Sequence, residues 1–597
     1  MHRSQPPTPQ ATADTGFLQD PPQLINQYDD DLVLKNILKR LLPEDVLRTI
    51  EPDLHQFGER VINDIAAMGD NVEDPNNHPR LKQYDAWCRR VDEITVAQGW
   101  KDLNDVAAEE GLIAIAYERK FQEYSRIYQF AKQYLYMPSS AMYSCPLSMT
   151  DGAARVLELI GTDEMKKKYF TRLTSRDPKK FWTSGQWMTE RPGGSDVGRT
   201  ETQAESIDPQ NNKWSVSGFK WFSSATTADM TMLLARTIDP QTNTVVQGSK
   251  GLSLYLAEMR RTDGSLNGVQ VHRLKNKYGT KGLPTAELQL SGMEAYMLGR
   301  PGRGVPNIAS ILNITRIYAA LGVVTGLRRS LAIAKSFASR RQAFGKQLDK
   351  LPLHVATLAE LEIILRATSQ ISFYAVALLG RTECLPDNDE RKEDFQMLRF
   401  VTPVAKAYVC KIGLNACSEA MEALGGQGYM EEIGVARLLR DAQVNTIWEG
   451  TTNVLAMDVL RVLRETKGQA LQHFKKVLSQ KVADALNISQ DRLKGAAAKI
   501  QQAFTIIDRF IQNAKSQLPM EVGARQLTFA LGRVLAAVLL LEQAAWAIQT
   551  GNSNCESDLI AVNRWCNDPA FLKDIITATD ISVKEDAVIV FGSHSKL

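Results

Sequence analysis

The chain is expected to be a mostly helical α+β protein: a helical N-terminal domain, a small β domain, a helical bundle, then a further helical domain. Apolar residues recur at three- and four-residue spacing on both sides of residues 181–299, and inside that stretch they fall into short alternating runs. A chain of 597 residues also exceeds what one hydrophobic core sustains, which calls for three or four domains.

Residues 1–30 hold Pro6, Pro7, Pro9, Pro21 and Pro22, with no apolar run in the first twenty. They are expected to be a disordered lead-in without a signal peptide. In 31–180, helical periodicity marks Val33–Leu42, Pro43–Met68 and Trp100–Glu118. Pro43, with Glu44 and Asp45 after it, suits a helix start. Asp70–His78 and Pro138–Cys145 are expected breaks, followed by short helices at Gly152–Ile160 and Thr162–Leu173.

In the β domain, 181–299, the strand-like runs are Trp214–Val216, Lys220–Phe222, Met230–Arg236, Gly251–Glu258, Val269–Arg273 and Ala286–Ser291. Turn-forming residues separate them, as at Asp208–Asn212 and Thr262–Gly268. In 300–466 the helices are Ile311–Arg340, Leu353–Leu379, Thr402–Leu424, Arg437–Val444 and Asn453–Arg464. The last domain, 467–597, adds helices with breaks expected at Pro519 and Gly551–Asn554. Its apolar stretch Leu531–Ile548 contains Arg533, Glu542 and Gln543, which are costly in lipid, so a buried helix is expected there and no transmembrane segment.

A net charge of +3 gives no global argument for nucleic acid. Locally, 467–535 holds eleven Lys/Arg against four Asp/Glu, a basic face that is more simply a solvated one. The seven cysteines form no CxxC pair and no zinc-type cluster with His, so buried reduced thiols and no metal are expected. The chain ends Ser595-Lys596-Leu597, which reads as a peroxisomal import address, with cytoplasm or mitochondrion as alternatives. The apolar Val588–Phe591 before it is expected to tuck against the last domain.

Six polar or glycine-bearing segments suit ligand chemistry. Trp187–Val197, WMTERPGGSDV, offers hydroxyls and exposed amides. Gly218–Ser224, GFKWFSS, offers an aromatic and a hydroxyl on one strand. Leu312–Arg316 and the later Arg340–Gly345 place arginines suited to phosphate. Glu422–Tyr429, EALGGQGY, permits close backbone approach, and Ile447–Asn453, IWEGTTN, carries a carboxylate.

In this order the segments resemble the acyl-CoA dehydrogenase family. MTERPGGSDV, the tryptophan before Glu449 and the DVLRVLRET run at 458–466 are most similar to its AidB-like branch, which carries an extra C-terminal helical domain. The resemblance implies one FAD per chain, held by Met188, Thr189, Ser195, Trp221, Phe222, Ser223, Glu422, Gly425, Gly426, Gly450, Thr451, Asn453 and Arg461. Arg341 would reach the FAD pyrophosphate of a neighbouring subunit, which implies a homo-oligomer, expected as a dimer of dimers. Fatty acyl-CoA would be met by Ser195, Asn313, Arg316 and Glu449, with Glu449 as the base of an α,β-dehydrogenation. Where typical members place a glutamine beyond the FGK segment, this chain has Leu351-Pro352. An acyl-CoA-sequestering sensor, a DNA-binding protective flavoprotein and a peroxisomal acyl-CoA oxidase are the alternative functions.

Overall fold

The structure, a computed structural model, describes residues 19–489, 491–514, 517–573 and 583–592. Ser595-Lys596-Leu597 and residues 1–18 lie outside them. Residues 27–31 are not a loose lead-in. Tyr28 and Gln27 are buried, and Gln27 accepts hydrogen bonds from Arg328 and Arg329 of the bundle. Asp31 caps the first helix, Leu32–Leu41, by accepting the Leu34 N–H at 2.8 Å.

The N-terminal domain continues with Glu44–Arg60, Asp64–Glu73, Gln98–Glu109, Tyr124–Tyr136 and the single helix Ser144–Ile160. Val61–Asn63 break the expected Pro43–Met68 helix, and Asp70–Glu73 are helical rather than loop. One element goes against the helical reading: an antiparallel hairpin of β1 (Arg80–Tyr84) and β2 (Arg90–Thr95). Its inner residues face the β domain, where Asp92 accepts the Val271 N–H at 3.0 Å.

The β domain contains β3 (Ser184–Trp187), β4 (Gln203–Asp208), β5 (Lys213–Ser224), β6 (Met230–Thr237), β7 (Leu252–Glu258), β8 (Val269–Leu274) and β9 (Thr285–Leu298). Pairings β6–β4–β5–β9–β7–β6 close a ring, so the sheet is a barrel, with β3 and β8 attached outside it. The two expected runs Trp214–Val216 and Lys220–Phe222 are one strand. The β5–β9 register slips between Val216 and Gly218. There a Cβ on Gly218 would lie 2.3 Å from the Thr202 hydroxyl, so the bulge requires glycine.

The bundle is built from Gly304–Ala338, Pro352–Cys384, Asp389–Glu422 and Thr452–Glu465. The last domain packs Gln469–Ser489, Lys494–Asn513 and Cys555–Asn567 around the 27-residue helix Ala524–Thr550. It shares one continuous core with the bundle and the N-terminal helices. A Cβ on Gly532 would meet the Tyr408 ring at 2.5 Å, so this glycine lets the central helix close onto the bundle. Among the described residues, three helices are long and apolar enough to span a membrane, but their apolar windows are 72%, 72% and 83% buried within the protein.

Two expectations fail in this domain. Pro519 lies in the first turn of the helix Gln517–Val522, where a missing N–H breaks no helical bond. Val588–Phe591 are exposed, with Ile589 at 80%, on the helix Val583–Phe591. Four consecutive residues cover a whole helical turn, so they cannot all face inward; Ala587, just before them, is buried. Cys88 is also exposed, so not every thiol is a core residue.

Candidate active site

The site begins with a strained turn. The helix Val435–Val444 ends at Asn445, and the chain reaches Glu449 at φ +57° and Gly450 at φ +104°. Glu449 is a non-glycine residue in left-handed conformation, an arrangement that persists only when its surroundings fix it. Trp448 donates its indole N–H to Asn445 at 2.9 Å. Arg316 Nε donates to the Glu449 carbonyl at 3.3 Å, and the buried Lys406 donates to the Gly450 carbonyl. Thr315 Oγ1 donates to Glu449 Oε2 at 2.7 Å.

Burial raises the Glu449 carboxyl above its ordinary value, against the Thr315 hydrogen bond and the positive charges of Arg316 and Lys406. Some surface of the residue stays open, so it is shielded rather than sealed off. A carboxyl shifted toward neutrality is well matched to removing a weakly acidic proton. Thr315→Ala removes a stabiliser of the carboxylate. The expected outcome is a further rise in its pKa, by about one unit or more for a hydrogen bond to a charged group. The pH profile of flavin reduction would register this as a rising limb moved to higher pH.

Asp458, one turn into the helix Thr452–Glu465, gathers Arg316, Arg399 and Arg461 at 2.8, 2.9 and 2.5 Å. Burial opposes its charge, but these hydrogen bonds and charges prevail and hold it far below the usual carboxylate range. Arg461 is thereby fixed beside Arg316.

The second half of the site is the loop after β3. Glu190 and Lys220 form an ion pair at 2.6 Å, with side chains 2% and 0% exposed. Glu190 also accepts the Glu201 N–H at 2.6 Å and the Thr202 hydroxyl at 2.6 Å. One buried carboxylate therefore folds the loop back onto β4 and β5. A Cβ on Gly193 would lie 2.2 Å from the Asp196 carbonyl, so the turn requires glycine. The Thr189 carbonyl accepts the Trp221 N–H at 2.9 Å, placing the loop edge beside the aromatic strand. Lys275 lies 3.1 Å from the Trp221 ring centroid. Ser223 Oγ is buried with no protein partner, as suits a hydroxyl that serves a ligand.

Four segments match known domain descriptions: Adaptive response protein AidB N-terminal domain at 19–178, acyl-CoA dehydrogenase middle domain at 185–293, acyl-CoA dehydrogenase C-terminal domain at 302–464, and acyl-CoA dehydrogenase 11 C-terminal domain-like at 469–591. The chain is 40% identical over 592 residues to acyl-CoA dehydrogenase family member 11 of Caenorhabditis elegans, covering 98% of this chain and 94% of the relative. The chain belongs to the acyl-CoA dehydrogenase family. The putative acyl-CoA dehydrogenase AidB of Escherichia coli is 29% identical over 465 residues, covering 76% of this chain and 79% of that protein. The crystal structure of Caenorhabditis elegans ACDH-11 in complex with C11-CoA superposes with TM-score 0.90 at 38% identity, over 99% of this chain and 98% of that one.

Within this family frame, the expected residues divide into groups. Thr189, Trp221 and Ser223 come together through the loop and strand, and Met188 is half-buried against the core below. Ser195, in the loop, and Phe222, on β5, are exposed. Arg316, Glu449, Gly450 and Arg461 form one network, and Asn313 lies buried one turn before Arg316. Thr451 precedes the helix Thr452–Glu465, and Asn453 accepts from Arg525 of the last domain at 3.1 Å.

Arg341 and Glu422 are exposed, and a Cβ on Gly425 or Gly426 meets nothing within 4 Å. Arg341 lies 26 positions beyond Thr315, just past the end of the same helix, about 39 Å along the axis at 1.5 Å per residue. It therefore stands far from the Glu449 of its own chain. Thr315, Lys406, Asp458 and Glu190 were not singled out from sequence. Lys406 carried a signal, a lone lysine inside the apolar run Val401–Cys410.

Proposed function

We propose that this chain is an FAD-dependent acyl-CoA dehydrogenase that acts on medium- or long-chain fatty acyl-CoA, with Glu449 as the base. The observation that carries this reading is the Glu449 carboxyl, held on a strained turn by Thr315 and raised by burial. Ionised Glu449 takes the α-proton of the thioester, and its own backbone N–H is the donor proposed for the developing enolate oxygen. FAD, when bound, supplies the acceptor for the β-hydrogen as hydride. Thr189, Ser195, Trp221, Phe222 and Ser223 would hold its ring, with Gly450, Thr451 and Asn453 beside them. The solved relative in complex with C11-CoA supports an acyl-CoA of that size class. Purified protein is expected to be yellow, and mass spectrometry of its extracted ligand should return a fatty acyl-CoA; a ligand-free, flavin-free protein would argue against the reading.

A relative solved in complex with C11-CoA also suits a second reading, an acyl-CoA-sequestering protein with little turnover. A DNA-binding role gains little from the basic stretch, since Lys475, Lys481, Arg492 and Lys494 pair with Asp508, Glu542, Glu556 and Asp491.

The proposed assembly is a homo-oligomer in which Arg341 serves a neighbour's FAD. Its support is the placement of Arg341 directly before the antiparallel pair Gln342–Ala343 and Lys346–Gln347, in whose turn Phe344 is 94% exposed. A strictly monomeric protein that keeps FAD tightly would overturn this. Peroxisomal import through Ser595-Lys596-Leu597 is likewise proposed. Deleting the three residues is expected to leave a tagged protein diffuse, with its flavin content unchanged.

A further inference from the structure

The segment Lys275–Pro284, between β8 and β9, spans the two halves of the site. At one end Lys275 lies over Trp221. In its middle, the Thr280 N–H donates to Asp441 Oδ1 at 2.6 Å, on the helix Val435–Val444 that leads to Glu449. The seating is close on both sides. A Cβ on Gly279 would meet the Arg440 carbonyl at 2.6 Å and Asp441 Oδ1 at 3.0 Å, and one on Gly282 would meet Val72 Cγ1 at 2.2 Å. The segment is thus wedged between the helix bearing Asp441 and the helix bearing Glu73.

Two carboxyls meet at this wedge with little to neutralise them. Glu73 Oε1 and Asp441 Oδ2 are each buried without a hydrogen-bond partner. The surrounding cations are committed elsewhere. Lys277 donates to the Thr280 and Leu283 carbonyls and the Thr285 hydroxyl. Arg440 holds Glu431 with both terminal nitrogens at 2.6 and 2.8 Å. Arg437 donates to the Pro138 carbonyl and stands 3.7 Å from Asp441. His78 is turned to the Glu73 carbonyl, and Lys281 on the wedge is exposed.

We propose that Glu73 and Asp441 are positioning residues that form a proton-dependent latch, seating this segment against the helix that leads to Glu449. With Glu73 protonated, one negative charge sits at the joint and the wedge stays closed. When Glu73 ionises, two buried carboxylates share the joint with Arg437, 3.7 Å from Asp441, as the ion-paired cation, and the joint loosens. Burial, and then the charge of Asp441, pushes the Glu73 carboxyl up to about 7, and burial also raises Asp441. The closed state binds the extra proton, so closure is favoured at low pH and is lost as pH rises through about 7. If opening returns Glu73 to its ordinary value, the open population grows about tenfold between pH 6 and pH 8.5.

The consequence for Glu449 rests on its reading as the base; the latch does not, and amide exchange separates the two. Hydrogen–deuterium exchange of the FAD-loaded protein, corrected for intrinsic rates, is measured over 275–284 and 435–444 at pH 6 and 8.5. In the wild type, protection is expected to fall about tenfold across this range. Glu73→Gln, a neutral mimic, should keep it level, and Asp441→Asn, which retains the Thr280 acceptor but removes the second of the two causes, should make the fall smaller than in the wild type. Flavin reduction by acyl-CoA should lose its decline above pH 7 in Glu73→Gln and show a smaller one in Asp441→Asn. Protection that is flat in the wild type, or that falls equally in all three proteins, would overturn the latch whatever the activity.

Discussion

Glu449→Gln is expected to keep acyl-CoA binding close to the wild-type value while slowing flavin reduction at least a hundredfold, about the lower range for loss of a general base. The substitution preserves the shape, and Gln can still accept the Thr315 hydroxyl that now meets Oε2 at 2.7 Å. The carbonyl contacts of Arg316 and Lys406 are made to backbone and do not depend on the side chain. Only the proton acceptor is removed. Rapid-mixing absorbance of the flavin gives the rate, and calorimetry gives the affinity. A variant that reduces flavin as fast as the wild type would exclude Glu449 as the base.

The largest expected stability loss is at Arg126. Its side chain is 1% exposed and bridges Asp151 (0%) and Glu383 (2%), through Nη1 at 2.8 Å and Nε at 2.7 Å. Gln129 and the Tyr117 and Tyr318 hydroxyls complete the shell around Asp151. The network ties the N-terminal helices to the bundle helices Gly304–Ala338 and Pro352–Cys384. Arg126→Met strands two buried carboxylates, so about 3–5 kcal/mol of stability should be lost. Arg48→Ala, from an exposed pair whose side chains are 74% and 90% accessible, should cost less than about 1 kcal/mol. Urea unfolding of the three proteins compares them directly. Equal losses at both arginines would contradict the weight placed on burial.

Much of this molecule is legible in its sequence because long amphipathic helices and glycine-dependent loops leave strong local patterns. The long bundle helices emerge from periodicity alone, though Gly304–Ala338 begins seven residues before the expected start at Ile311. The chemistry-bearing segments are legible because a turn that admits only glycine at position 193, or a helix start after Gly450, constrains the residues around it. What is hidden depends on partners distant in sequence. The hairpin of β1 and β2 has a highly charged outer face, and only its contact with β8 makes it a strand pair. Lys406 gains meaning from a carbonyl 44 residues further along the chain. Glu190 reads as a surface acid until Lys220 is placed against it. The exposed Val588–Phe591 run shows the opposite failure, where apolar composition alone suggested burial.

The central claim is that a fatty acyl-CoA held against FAD loses its α-proton to Glu449. Anaerobic mixing of the FAD-loaded protein with saturated acyl-CoAs of increasing chain length tests it in a single turnover. The account predicts that the flavin absorbance bleaches for medium or long chains and that one equivalent of the trans-2-enoyl-CoA is recovered. Tight binding of those acyl-CoAs with no bleaching at any chain length would contradict it and leave the chain as an acyl-CoA-sequestering protein.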